Sequence, residues 1–304
     1  MFQAGCTTMA AWANAANCAM LAAALKIAGN EELTKYYTDE AITAYNYASR
    51  QENLQLNDRQ DVMTGRDFRQ LAAAYLYNVT GDRKWEDAMA EDSAVKAPDS
   101  KISPTGGQIW ATAAYLCCPQ ERHYPELYNN MKAVVNTLAD VNFLAAMKQR
   151  PSRRASIDPR HRTSENLQAV MLAHYIATSP ARRIQLENCM YAEAGWGLGR
   201  NPSNIVEMTG LGSRHFENVY STGHNDGDPG THPGQTPFAG IETWSPGNGG
   251  DATLLTKRCY PAWDSWPQQD SYFNQRYMWV NAEFTPRETM RGKMALLGYL
   301  WGIR

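Results

Sequence analysis

The chain has few of the features that announce a common chemistry. None of its six cysteines (Cys6, Cys18, Cys117, Cys118, Cys189, Cys259) pairs at C-x-x-C spacing, which excludes the usual zinc-ribbon and dithiol arrangements. There is no glycine-rich phosphate loop, no G-x-S-x-G elbow and no H-E-x-x-H pair, so nucleotide, serine-hydrolase and zinc-protease chemistry have no motif to stand on. Neither sign of charge dominates, with 29 Lys and Arg against 31 Asp and Glu. The one basic cluster, Arg150-Pro-Ser-Arg153-Arg154, reads as a solvated loop, and no nucleic-acid partner is expected. The longest apolar run, residues 9–28, is interrupted by Asn14, Asn17 and Lys26 and is poor in Leu, Ile, Val and Phe. It reads as a buried Ala-rich helix rather than a membrane span.

What is present is helical periodicity. Phe68, Leu71, Ala72, Tyr75, Leu76 and Val79 follow the i, i+3, i+4, i+7 spacing of one buried face, and the run stops at Thr80-Gly81-Asp82. Similar breaks at Ala28-Gly29-Asn30, after Cys118, and at Thr178-Ser179-Pro180 separate pairs of helical stretches at intervals of about 40–60 residues, the length of stacked helical hairpins. Helices are expected at 8–28, 31–50, 65–80, 83–92, 105–117, 125–148, 165–178, 180–196 and 285–301. Residues 197–280 differ, being rich in Gly, Pro, Asn and Asp. Their interleaved Trp244, Tyr260, Trp263, Trp266 and Tyr272 argue against disorder, so the segment reads as a folded, loop-rich insertion lining a cleft. Nine Trp and sixteen Tyr would suit a carbohydrate site, but they would suit a large helical core equally well.

The best candidate for a working acid is Glu283, which follows Arg276 by seven residues and precedes the last helical stretch. A carboxyl near Tyr272, Trp279 and Phe284 can be tuned by desolvation or by the guanidinium; a first-turn Glu that merely favours the helix dipole is the simpler alternative. The order Asp270-x-Tyr272-x-Asn274-x-Arg276, then Trp279, then Ala282-Glu283 resembles the C-terminal signature of glycoside hydrolase family 9, the inverting cellulase-type enzymes. Asn274 stands where that family has Asp, Trp279 where it has Tyr, and Ala282 where it has Asn. A second block, Leu198-Gly199-Arg200-Asn201-Pro202 followed by Thr209-Gly210-Leu211-Gly212, is similar to the family's Leu-Gly-x-Asn-Pro and Thr-Gly-x-Gly segments.

The resemblance implies an all-α, (α/α)6 toroid-type array of helical hairpins, incomplete at its N-terminus, with residues 1–304 forming one partial catalytic domain. It implies a glycosidase acting on a β-linked polysaccharide or oligosaccharide, with Glu283 as general acid and Tyr272 and Arg276 beside it as substrate-binding residues. His224, Asp226 and His232 are expected to bind the sugar, in a segment that matches the family only loosely. The family's catalytic-base motif, Asp-Ala-Gly-Asp, does not occur in this chain, and inverting hydrolysis needs a second carboxylate roughly 6.5–9.5 Å from the acid. The chain alone is therefore expected to be inactive, and an extracellular or periplasmic parent is what the resemblance suggests. Two other functions fit the residues: a non-catalytic carbohydrate-binding scaffold, and a helical-toroid polysaccharide lyase using Tyr and His. No cofactor is expected. The run Asn225-Asp226-Gly-Asp228 offers hard oxygen ligands for a structural calcium, although a turn explains it more simply. In the earlier loop Asn57–Asp61, Asp58 and Asp61 read as turn and cap residues rather than a substitute base.

Overall fold

The computed structural model describes residues 7–60, 62–150, 154–155, 167–201, 203–219, 232–237, 260 and 289–303. The chain forms two compact units, 1–138 and 139–304.

Unit 1 is built from helices whose ends are set locally. Thr7 caps α1 (Thr8–Ile27) through the Ala10 amide, and Asn30 caps α2 (Glu31–Ser49) through the Leu33 amide, both at 3.1 Å. A two-residue antiparallel pair, β1 (Arg59–Gln60) with β2 (Met63–Thr64), leads into α3 (Gly65–Thr80). Thr64 and Asp67 form a reciprocal capping box at the start of α3, at 3.2 and 2.9 Å, so the cap is Thr64 rather than an aspartate of the preceding loop. Asp61 lies outside the described residues, and the Asp58 carboxylate accepts from Gln55 Nε2 at 2.9 Å, as a turn residue does. Position 65 admits only glycine, because a Cβ would lie 2.2 Å from the Gln55 carbonyl oxygen. Gly81, with φ of 70°, ends α3 in the left-handed conformation, and Asp82 caps α4 (Arg83–Asp92). Then come α5 (Ile109–Leu116) and α6 (Pro125–Leu138).

The small face of α1 (Ala11, Ala15, Ala16, Ala19, Ala22) is buried, and α1 packs on α2 and α3. Residues 9–27 are helical as expected but buried along one face only, and among the described residues no helix is long and apolar enough to cross a membrane. Trp12, on the same helix, is fully buried: its Nε1 donates to the Leu54 carbonyl at 2.8 Å and its ring meets Tyr45 edge-on at 5.1 Å. The Arg69 guanidinium lies 5.8 Å from the Trp12 centroid and, with Arg66, neutralises the buried Asp92 carboxylate. By contrast Met20 and Leu21, on the same helix, are each 41% exposed.

Unit 2 opens with a π-helical segment, Ala139–Leu144, and α7 (Ala145–Gln149), so the single helix expected over 125–148 is interrupted. It continues with α8 (Gln168–Ile176), α9 (Pro180–Gly197), a second π-helical segment Thr289–Met294, and α10 (Ala295–Gly302). The helix expected over 285–301 is thus described from 289 onward. Helix α9 has Pro at its first position, where the missing N–H leaves no bond unmade.

Candidate active site

The chain leaving α9 is folded by its own side chains. Gly199 turns at φ of 107°, and Arg200 doubles back so that its guanidinium donates to the Ala192 carbonyl at 2.6 Å. Asn201 is buried and uses both halves of its amide. Its Nδ2 donates to the carbonyls of Trp196 (2.9 Å) and Ile205 (2.8 Å), while its Oδ1 accepts from the Ile205 amide at 3.3 Å. Only an amide side chain supplies donor and acceptor in this way, which gives the Leu-Gly-x-Asn-Pro block a structural role.

From there the backbone bonds to itself: the Glu207 amide donates to Gly197, Val206 to Arg214, and Phe216 to Val206. Thr209-Gly210-Leu211-Gly212 then forms a turn with φ of 72° and 77° at its two glycines. A Cβ on Gly210 would stand 2.9 Å from Pro233 Cβ, so the glycine is needed for both conformation and close approach. Thr209 is the centre of this frame. Its hydroxyl donates to the His232 carbonyl at 2.6 Å and accepts from the Gln235 amide at 2.8 Å. Its backbone amide donates to the Gln235 carbonyl, and its carbonyl accepts from the Gly234 amide. The chain at 232–235 is thereby bonded to a residue more than twenty positions earlier.

Of the residues singled out for chemistry, His232 alone is described. It is partly exposed, with its carbonyl held by Thr209. Glu283, Arg276, Tyr272, His224 and Asp226 lie outside the described residues, as does the acidic run 225–228 read as a possible calcium loop. Among the described residues no cluster of His, Cys, Asp and Glu could hold a metal ion.

Several polar residues that sequence patterning passed over prove to be deeply placed. Glu193 on α9 is fully buried; it accepts from Arg154 Nε at 2.9 Å and from the Ala155 amide at 2.8 Å, and the Arg154 guanidinium lies 5.4 Å from the Trp196 ring centroid. This corrects the solvated-loop reading of the basic cluster at Arg154, which is 1% exposed. A charged side chain is buried only where a partner neutralises it, and the partner here is 39 residues away in sequence. Burial, reinforced by the Glu193 charge, pushes the Cys189 thiol up to about 12, which keeps it protonated and inert. Of the other cysteines described, Cys118 is buried and Cys117 is exposed.

The last helix is tied down by another buried group. His174 on α8 contacts the Tyr299 hydroxyl of α10 through Nδ1 at 2.8 Å and Glu187 Oε1 of α9 through Nε2 at 2.9 Å, with the two rings edge to face. One imidazole therefore joins three helices, including the one that follows Glu283 in the chain. The helical pattern around Ala169–Ala173 marks this face as internal, but no spacing rule links His174 to Tyr299.

A family model described as glycosyl hydrolase family 9 matches residues 2–287, through both motif blocks. The chain belongs to glycosyl hydrolase family 9. Solved structures of the family are similar to it throughout. A family 9 endoglucanase, J30, matches with a TM-score of 0.69 at 18% identity over 94% of this chain and 53% of its own. AaCel9A, in complex with cellobiose-like isofagomine, matches with 0.70 at 18% identity over 99% and 56%. A family 9 protein of Bacteroides ovatus matches with 0.68 at 17% over 98% and 54%. The likeness shows the fold, the all-α (α/α)6 architecture that the resemblance implied. The chain spans about half the length of these structures. No protein of curated function matches it in sequence at a significant level.

Proposed function

We propose that the chain is part of a glycoside hydrolase that cleaves a β-linked polysaccharide by an inverting mechanism, with Glu283 protonating the departing glycosidic oxygen. The observation that carries this reading is the family match over residues 2–287, which includes Glu283 and the Asn201 and Thr209 blocks. The similar structures described as endoglucanases, one holding a cellobiose-like ligand, support a cellulase-type substrate class. Tyr272 and Arg276 would sit beside the acid, and His224, Asp226 and His232 would select the sugar. The frame at Thr209 supports a role for His232, because it fixes the backbone at the end of that segment.

A second reading, a carbohydrate-binding scaffold without catalysis, is favoured by one feature: no Asp-Ala-Gly-Asp occurs among the 304 residues. Inversion needs a base as well as an acid. The 304-residue chain alone should therefore release no reducing ends from cellulose, mixed-linkage glucan or glucomannan. A longer parent chain carrying the base motif should release them, and Glu283→Gln should lower that rate by about 10²–10⁴, the usual contribution of a general acid. Reducing-end release by the 304-residue chain, abolished by Glu283→Gln, would show a substitute base within it. An unaltered rate for Glu283→Gln in an active parent would remove Glu283 as the acid.

A further inference from the structure

We propose that unit 1 carries a second carbohydrate site, a cleft between α4 and the start of α6 built on a histidine held by a buried carboxylate. The cavity measures about 620 Å³ and is lined by Asp87, Glu91, Lys96, His123, Tyr124 and Glu126 among others. That volume lies within the roughly 300–1,000 Å³ of ordinary small-molecule sites. No residue of the two motif blocks borders it.

The wall is organised from behind. Glu86 is fully buried, accepts from the Tyr115 hydroxyl at 2.6 Å and the His123 amide at 2.9 Å, and contacts His123 Nδ1 at 2.6 Å. A buried carboxylate accepts a hydrogen bond from Nδ1–H, which fixes the ring and leaves Nε2 for another partner. The acid oxygen recorded near Nε2, Glu121 Oε2, is 3.9 Å away, beyond hydrogen-bond reach.

The cleft's other polar groups divide into spent and open. Lys96 Nζ is committed to the Ala90 and Glu91 carbonyls at the end of α4, and Asp87 accepts from the Tyr124 hydroxyl at 2.8 Å. The Glu91 and Glu126 side chains, both exposed, make no hydrogen bond or ion pair to other described residues, so two carboxylates on the wall of the cleft remain open to a ligand. A purely structural account explains why Glu86 pins the 121–124 turn to α4. It does not by itself account for a cleft of about 620 Å³ beside that turn.

Two carboxylates and a tyrosine lining one cleft suit a molecule dense in hydroxyl donors, with a flat apolar face. A short sugar chain has that chemistry, and either a neutral or an amino sugar could supply it. The choice of a sugar rests on the proposed function; the cleft and its open groups do not.

The test is titration of the 304-residue chain by calorimetry and by NMR with a β-1,4-linked glucose trimer and the matching glucosamine trimer. At least one trimer should bind. Glu91→Gln, Glu126→Gln and His123→Gln should each weaken it about fivefold, the effect of one hydrogen bond, without changing the far-UV spectrum. Tighter binding of the glucosamine trimer would identify an amino-sugar source, and equal or tighter binding of the glucose trimer a neutral one. The amide shifts that respond to the trimer should fall on 87–96 and 123–130, and Glu283 is tested separately by reducing-end release in the parent chain, so failure here and failure of the catalytic assignment are separate results. No binding of either trimer at about 10 mM, or equal affinity in a Glu91→Gln/Glu126→Gln double variant, would overturn the proposal.

Discussion

Removing Arg154 alone should be among the most damaging single changes in unit 2, and removing it together with the Glu193 charge should be much milder. Arg154 and Glu193 are 1% and 0% exposed and meet at 2.9 Å. Arg154→Met fills much of the same space but takes from the buried Glu193 carboxylate the guanidinium that donates to it at 2.9 Å. Breaking a buried pair in this way costs about 3–5 kcal/mol, which includes the loss of the guanidinium from the Trp196 face. Glu193→Gln keeps an acceptor for Ala155 and removes the charge, so the Arg154→Met/Glu193→Gln chain loses both charges of the pair together. Its deficit should fall to about 1–2 kcal/mol, the cost of imperfect packing and a weaker hydrogen bond. The double-mutant cycle should therefore show a coupling of at least about 2 kcal/mol by urea unfolding at neutral pH. A single Arg154→Met variant that loses less than about 1 kcal/mol, or a double variant no better than the single, would refute the claim that these charges depend on each other.

Thr209→Val removes both hydroxyl bonds to 232–235 at nearly constant shape. It should lower stability by about 1–3 kcal/mol and speed amide exchange at Gly234 and Gln235, whereas unchanged exchange would mean that the frame does not rest on that hydroxyl. Gly210→Ala, opposed by the positive φ and by Pro233, should cost about 1–3 kcal/mol in the same unfolding assay. Alkaline pH should destabilise the chain. The folded Cys189 value is raised to about 12, so its contribution is complete below the unfolded value near 8.5 and disappears as pH rises toward 12. Urea midpoints should be flat to about pH 8.5 and then fall, and Cys189→Ala should remove about 1.4 kcal/mol per pH unit from that slope. A substrate panel on an active parent should show His224→Ala and Asp226→Ala changing the preference among cellulose, glucomannan and chitosan; uniform loss on every substrate would mark 220–232 as structural.

How much was legible from the sequence follows from how local each cause is. The ends of α2, α3 and α4 match expectation to within a residue because Asn30, Gly81 and Asp82 act on amides and carbonyls within one turn of themselves. Helix α5 starts at Ile109 rather than 105, since the chain is still in a glycine turn there, with Gly107 at φ of 56°. The π-helical segment at Ala139–Leu144 keeps the apolar spacing of a helix while shifting its hydrogen bonds, so periodicity could not reveal it. Burial was less legible. Trp12 sits among alanines, and only Leu54, Tyr45 and Arg69, brought in by other elements, show that it is enclosed while Met20 and Leu21 remain accessible. Arg154 and His174 were missed for the same reason, because each is explained by a partner 39 or 125 residues away.

The motif blocks were recognisable for a physical reason that also limits what they say about chemistry. Asn201 and Thr209 use their side chains on backbone groups of 196, 205, 232 and 235. Such bonds require a particular residue at 201 and 209 but accept almost any side chain at the positions they bind. The bonds that hold 232–235 to Thr209 all go to backbone groups, so they do not depend on which side chains those positions carry. That asymmetry explains how this chain can keep Leu-Gly-x-Asn-Pro and Thr-Gly-x-Gly while its Tyr220-Ser-Thr-Gly-His224-Asn-Asp226 departs from the family pattern. The two blocks hold backbone, and on the proposed function the segment that departs from the family pattern is where sugar preference is expected to change.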